Sequence, residues 1–262
     1  MRKSLIAAAL LLALGTPGAP AVQASEGVVP PAQDWPFAGP FGEFDRAQLK
    51  RGFQVFKEIC AGCHSLNLIA FRNLQAIGYT EDEVKEIAAE YEVPAGPNDE
   101  GETVDEDGAL LKRPATPADH WVPPFANAKA AAASNGGAVP PDLSLMTKAR
   151  KNGPDYVFGL LTGYKDEAPE GITIPEDKYF NEYFPGHAIS MAPPLSGDDV
   201  EYADGTPATK EQEVKDVVTF LTWTAQPELE QRKQLGIKTL IFLVVLTAML
   251  YALKRKIWSD VH

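Results

Sequence analysis

The stretch Cys60-Ala61-Gly62-Cys63-His64 decides how the rest of this chain is read. Two thiols three positions apart can each add to one vinyl group of a single porphyrin, and the adjacent histidine can then offer a ring nitrogen to the iron. A zinc site would need a second pair of ligands, and the chain has only these 2 cysteines. A redox dithiol would sit in a thioredoxin-like βαβ pattern, which the flanking sequence lacks. The run therefore predicts one covalently attached haem c, held by Cys60 and Cys63 with His64 as the proximal ligand.

Immediately upstream, Asp45 is placed to cap a helix, and Leu49, Phe53, Phe56 and Ile59 follow at helical spacing. Gly52 shares a face with Phe56 and allows another helix to come close. Downstream, Leu66, Leu68, Ile69, Phe71, Leu74 and Ile77 form an apolar stretch expected to pack near the porphyrin. Thr80 and Glu83 form a capping box that opens an acidic helix over 80–92. The stretch 93–124, rich in proline, glycine and acid, reads as loop. Further helices are expected over 126–133, 143–151, 154–162 and 211–225, with 163–194 mostly irregular and no β-sheet pattern. Those elements define a mainly α fold.

A sixth iron ligand can come from methionine or histidine, or the position can stay open. Met146, Met191, His120 and His187 are the candidates. His262 falls on the far side of the membrane, and Met249 lies in the C-terminal apolar run. Met191 is preferred because Pro193 and Pro194 stiffen its loop. It also precedes the last soluble helix, which should pack against the haem helix. His187, beside Gly186, is the main rival. Thioether ligation raises the reduction potential and suits electron transfer more than oxygen chemistry.

The ends of the chain set its topology. Residues 1–24 read as a cleaved secretion signal: Arg2 and Lys3, an apolar stretch from Leu5 to Leu14, and small residues before Ser25. Leu235 to Leu253 carries one charge, Lys238, and as a helix would extend about 29 Å, matching a hydrocarbon core of about 30 Å. This division predicts a periplasmic domain over 25–234, a transmembrane helix over 235–253 in the lipid bilayer, and a cytoplasmic tail over 254–262. Lys254, Arg255 and Lys256 then face inward, as the positive-inside tendency requires. A bacterial inner membrane fits this layout.

The formal net charge is −12. Most of it lies in 81–108, where twelve acidic residues accompany one base, Lys85. Such a run is either a solvated face or an electrostatic guide for a basic partner. Nucleic acid is excluded as a partner, because no basic stripe exists to meet phosphates.

Taken in order, these parts resemble the cytochrome c1 family, the haem subunits of cytochrome bc1 (ubiquinol–cytochrome c reductase) complexes. The matching stretches include Phe41–Asp45, Arg51–Phe56, Cys60–Leu66, Pro140-Pro141-Asp142-Leu143-Ser144, Asp155–Phe158, Leu160–Tyr164, Met191–Leu195 and Val218–Trp223. The resemblance implies a class I-like cytochrome c core with long loop insertions. It implies single-electron transfer from a Rieske iron–sulfur protein to a soluble or membrane-anchored cytochrome c, beside cytochrome b, in a dimeric complex. By position it makes His64 and Met191 the axial ligands. It also makes Arg150 the partner of a haem propionate, with Asn135 and Tyr156 as neighbouring haem contacts. Some bacterial members brace the methionine loop with an extra cysteine pair, which this chain lacks. A tethered shuttle feeding a terminal oxidase would need a long flexible linker, and a haem sensor would need an open sixth position.

Overall fold

The computed structural model describes residues 28–260. The expected signal segment and His262 lie outside the described residues. Asp45 caps helix α1 (Arg46–Val55) as expected, its carboxylate accepting from the backbone of Ala47 and Gln48. The helix then widens into a π-helical turn, Phe56–Cys60, so the Ala61 N–H reaches back to the Phe56 carbonyl at 2.8 Å. The cysteine–histidine run thus begins where the helix loosens.

Helix α6 (Lys210–Ala225) crosses α1 at Gly52. A β-carbon there would collide with the Asp216 carbonyl oxygen and approach the Phe220 side chain to 2.8 Å. Phe53 and Phe56 meet Phe220 with ring centroids 5.6 and 5.8 Å apart, and both reach Trp121. Leu49, Val55, Phe56, Val214, Val217, Val218 and Phe220 are all fully buried. Across the same crossing, Arg51 binds the wholly buried Asp216 carboxylate at 2.8 Å. A guanidinium satisfied in this way avoids the desolvation penalty of an unpaired buried charge.

The remaining elements surround this pair. A 3₁₀ helix, Phe71–Ile77, buries Phe71, Leu74 and Ile77, whereas Leu68 of the same apolar stretch is exposed. Helix α2 (Glu81–Ala89) begins at the expected Thr80–Glu83 capping box. Two features of the 93–124 region correct the loop reading. Strands β1 (Glu92–Pro94) and β2 (Lys112–Pro114) pair antiparallel, and a bridge joins Val104 to Leu110. A second ribbon pairs β3 (Tyr179–Phe180) with β4 (Ala188–Ile189). Strands of two or three residues are too short to show period-two alternation.

Helix α3 (Ala128–Ser134) and helix α5 (Gly153–Thr162) fall where expected. The helix expected over 143–151 shrinks to α4 (Met146–Ala149), because its first residues are tied to the segment after His64 and Arg150 is extended. Helix α7 (Leu229–Ile257) runs without a break from the core into the apolar C-terminal run. It is the one helix among the described residues long and apolar enough to cross a membrane, and its apolar window is unburied. The fold is mainly helical, as the sequence implies.

Candidate haem centre

His64 is half-buried, and its Nδ1 lies 2.8 Å from the Pro141 carbonyl oxygen. A carbonyl can only accept, so this contact places the proton on Nδ1 and leaves the Nε2 lone pair for a metal. Burial pushes the imidazole below its ordinary pKa, against the opposing pull of the Pro141 carbonyl and Asp142. The neutral ring that a metal needs is therefore the favoured form.

The segment carrying Pro141 is stapled to the haem run. Asp142 accepts from the Ser65 hydroxyl at 2.9 Å, the Asn67 N–H at 2.7 Å and the Ser144 N–H at 2.9 Å. Ser144, fully buried, accepts in turn from the Leu68 N–H, and the Leu143 N–H donates to the Ser65 carbonyl. The sequence marks Pro140-Pro141-Asp142 as the start of a turn but does not show its contact with His64. A proline pair followed by Asp-x-Ser was the available signal for a turn with side-chain caps.

Burial, aided by the nearby Cys63 thiol, raises the Cys60 thiol pKa to about 12. A thiolate is disfavoured there, which suits a sulfur that ends as a neutral thioether and not a redox dithiol. Among the described residues no three His, Cys, Asp or Glu side chains gather as a metal cage.

Met191 is half-buried and packs on the same hydrophobic core as Ile59, Cys60, Met146 and Tyr156. The Tyr164 hydroxyl donates to the Met191 carbonyl at 3.1 Å. Burial raises the Tyr164 pKa, so it remains a donor. Before this loop, the buried Asn181 binds the Leu160 carbonyl at 2.7 Å and accepts from the Tyr183 and Phe184 N–H groups. Tyr164 and Asn181 were not singled out from sequence, since nothing local marks their long-range partners.

The histidine candidates His187 and His120 also turn Nδ1 to a backbone carbonyl, which leaves Nε2 free in each, and Met146 shares the core with Met191. His187 points Nδ1 at the Asn181 carbonyl and stacks on Phe180, with rings 5.6 Å apart. His120 points Nδ1 at the Asn67 carbonyl. Arg150 and Tyr156 are brought near each other: burial raises the Tyr156 pKa, and the Arg150 charge opposes that rise. Arg150 is exposed and also meets its neighbour's Ala149 carbonyl. Asn135 ends α3, its amide donating to the Ala131 carbonyl at 2.7 Å.

These residues fit a porphyrin. They supply a correctly tautomeric histidine, two thiols beside it, and half-buried apolar side chains at the core's edge. A helical core with that donor set and a single apolar C-terminal helix defines a c-type cytochrome of the membrane-anchored class.

Comparison with known proteins places it further. The pattern of the Cytochrome C1 family matches residues 35–261, and the chain belongs to that family. It is 52% identical over 277 residues to cytochrome c1 of Rhodospirillum rubrum, covering 100% of this chain and 98% of that one. It is 49% identical over 242 residues to a mitochondrial cytochrome c1 haem protein of Arabidopsis thaliana, covering 92% of this chain and 76% of that one. A third relative, cytochrome b/c1 of Bradyrhizobium diazoefficiens, is 48% identical over 254 residues, covering 89% of this chain and 36% of that longer one. Family membership implies a haem cofactor and the electron-transfer role of the bc1 haem subunit.

Proposed function

We propose that this chain holds one haem c through Cys60 and Cys63, with His64 and Met191 as axial ligands. In this reading it passes single electrons from a Rieske iron–sulfur protein to a soluble or membrane-anchored cytochrome c. The haem supplies one-electron chemistry at its iron. The protein's part is to hold both axial donors in place and keep water from them. Pro141 orients His64, and Tyr164 steadies the Met191 backbone. Arg150 is the cation for a propionate, since guanidinium meets carboxylate in bidentate fashion. Tyr156 and Asn135 are neighbouring haem contacts in this reading.

The observation that carries this reading is the contact between His64 Nδ1 and the Pro141 carbonyl at the end of the Cys60–His64 run. The domain over 25–234 stands on the periplasmic side of a bacterial inner membrane, with 254–262 in the cytoplasm. Cytochrome b is a partner in the membrane; support comes from the Bradyrhizobium relative, whose single chain is named for both cytochromes. The assembled complex is a dimer. Exposed acids of 81–108 guide a basic cytochrome c toward the haem edge.

Replacing the distal donor tests the ligand set. Met191→Leu should open the sixth position, admit carbon monoxide, lower the reduction potential and slow electron transfer. Met146→Leu should leave the spectrum native. The reverse outcome would move the ligand to Met146.

A further inference from the structure

Residues Trp35-Pro36-Phe37-Ala38-Gly39-Pro40-Phe41-Gly42 contain no charged side chain. Their aromatic rings divide sharply. Trp35 and Phe37 are buried and stacked at 5.4 Å, and Phe37 meets the buried Phe44 at 5.1 Å. Phe41 is 78% exposed, the most exposed large apolar side chain among the described residues. Around it Pro36, Ala38, Gly39 and Pro40 are exposed too. Solvent-facing turns ordinarily carry Asp, Asn or Ser beside their Gly and Pro, and a contiguous apolar turn marks a contact surface.

The turn is rigid. Gly42 packs so closely that a β-carbon would collide with the Ala38 carbonyl oxygen and approach the Pro36 carbonyl to 2.7 Å. It is also bolted to α7. Lys233 Nζ donates to the Phe37 and Gly42 carbonyls at 2.7 and 2.8 Å. One turn earlier, Glu230 accepts from the Phe44 N–H at 2.7 Å and holds Arg46 through both carboxylate oxygens. From Glu230 to Lys233 the helix advances about 4.5 Å toward the membrane, and Leu235 opens the apolar run about 3 Å further on. Going from Phe44 to Gly42, the chain therefore descends with the helix. Phe37 and Gly42 are both held by Lys233, and the exposed Phe41 lies in the turn between them.

We infer that the 36–41 turn is a second membrane contact, with Phe41 seated in the outer interface of the lipid bilayer beside α7. The occupant is lipid because the ends of the turn are held by Lys233, two residues before Leu235 opens the apolar run. Exposed Phe side chains of surface-bound segments bury at the headgroup–acyl boundary. Lys233 and Glu230 act as positioning residues. They tie the turn to the helix, so the haem domain rests on the membrane at two points and cannot swing about one.

This inference rests on the membrane anchor proposed above, and the test separates the two. The full-length holoprotein would be placed in lipid nanodiscs with one nitroxide label at Phe41→Cys, Val244→Cys or Thr103→Cys. Accessibility to oxygen is then compared with accessibility to a water-soluble nickel chelate. At position 41 the oxygen-to-nickel ratio should resemble position 244 and exceed position 103 severalfold. A water-like ratio at 41 with a lipid-like ratio at 244 overturns the second contact alone. A water-like ratio at 244 overturns the anchor as well. Unaltered protein in the complete complex gives an independent check. Carbene adducts from a diazirine-bearing phospholipid should fall on 36–41, and labelling of α7 without that turn would assign the patch to a protein neighbour and overturn the lipid assignment.

Discussion

On the His64 side of the candidate centre, the backbone is a helix seated directly against another helix. On the Met191 side it is a loop held by a few polar side chains. The first support is apolar and dense: Gly52 against Asp216, with Phe53, Phe56 and Phe220 filling the crossing. The second relies on Tyr164 and Glu213, which bind loop backbone, and on Asn181, which ties the chain before the loop to the Leu160 carbonyl of α5. Apolar packing is distributed over many atoms, whereas a polar tie fails when one partner is lost. The helix crossing beneath the histidine should resist single polar substitutions, whereas the methionine loop, like the Asp142 staple that carries Pro141, should not.

The largest effect is expected where the helices touch. Gly52→Val adds three carbons at a point where even one would strike the Asp216 backbone. Overpacking of this kind costs about 3 kcal/mol. The helices must separate, and both sides of the centre should suffer together. Denaturant unfolding of the holoprotein measures the loss. A stable Gly52→Val protein would mean that the crossing relaxes, which the rigid apolar picture does not allow.

A smaller and one-sided effect should follow Asn181→Ala. Three hydrogen bonds disappear, and the Leu160 carbonyl and the Tyr183 and Phe184 N–H groups lose a buried partner. The cost is about 2 kcal/mol. Its signature is local: carbon monoxide should bind more readily while the His64–Pro141 contact stays intact. Equal disturbance of both sides, seen in histidine and methionine resonances, would erase the contrast between them.

Much of the histidine side was legible in sequence because its determinants are local. Asp45, Gly52, the apolar spacing and Cys60–His64 lie within twenty residues, and the structure uses Asp45 and Gly52 as expected. What escaped was non-local. Pro141 meets His64 across 77 positions, and Asn181 meets Leu160 across 21. Nothing in a lone Asn or Tyr announces a distant partner. The shortened helix α4 has the same cause: Leu143 and Ser144 have helix-compatible residues around them, yet bond to Ser65 and Leu68 instead. Tertiary hydrogen bonds overrode local propensity.

The last effect concerns protons, and it also falls on the methionine side. Glu213 is fully buried on α6, and its Oε1 accepts from the Asp199 and Val200 N–H groups at 2.9 and 3.2 Å. Those residues end the chain segment that starts at Met191. Glu213 Oε2 has no hydrogen-bond partner. Burial, reinforced by the Asp199 charge, lifts the carboxyl from an ordinary 4.5 to about 7, although two N–H groups oppose it. The native state therefore keeps a proton that the unfolded chain releases. Its stabilising contribution is complete below about 4.5, declines as pH rises, and is lost above about 7. Glu213→Gln retains an acceptor for both N–H groups and cannot titrate. The variant should match the parent in acid, exceed it above neutrality, and show a flatter stability profile between those limits. Unfolding midpoints across that range provide the measurement. If the slope survives in Glu213→Gln, the titrating group is another carboxylate, with Asp199 the first to replace, and the loop's backbone ties would be independent of pH.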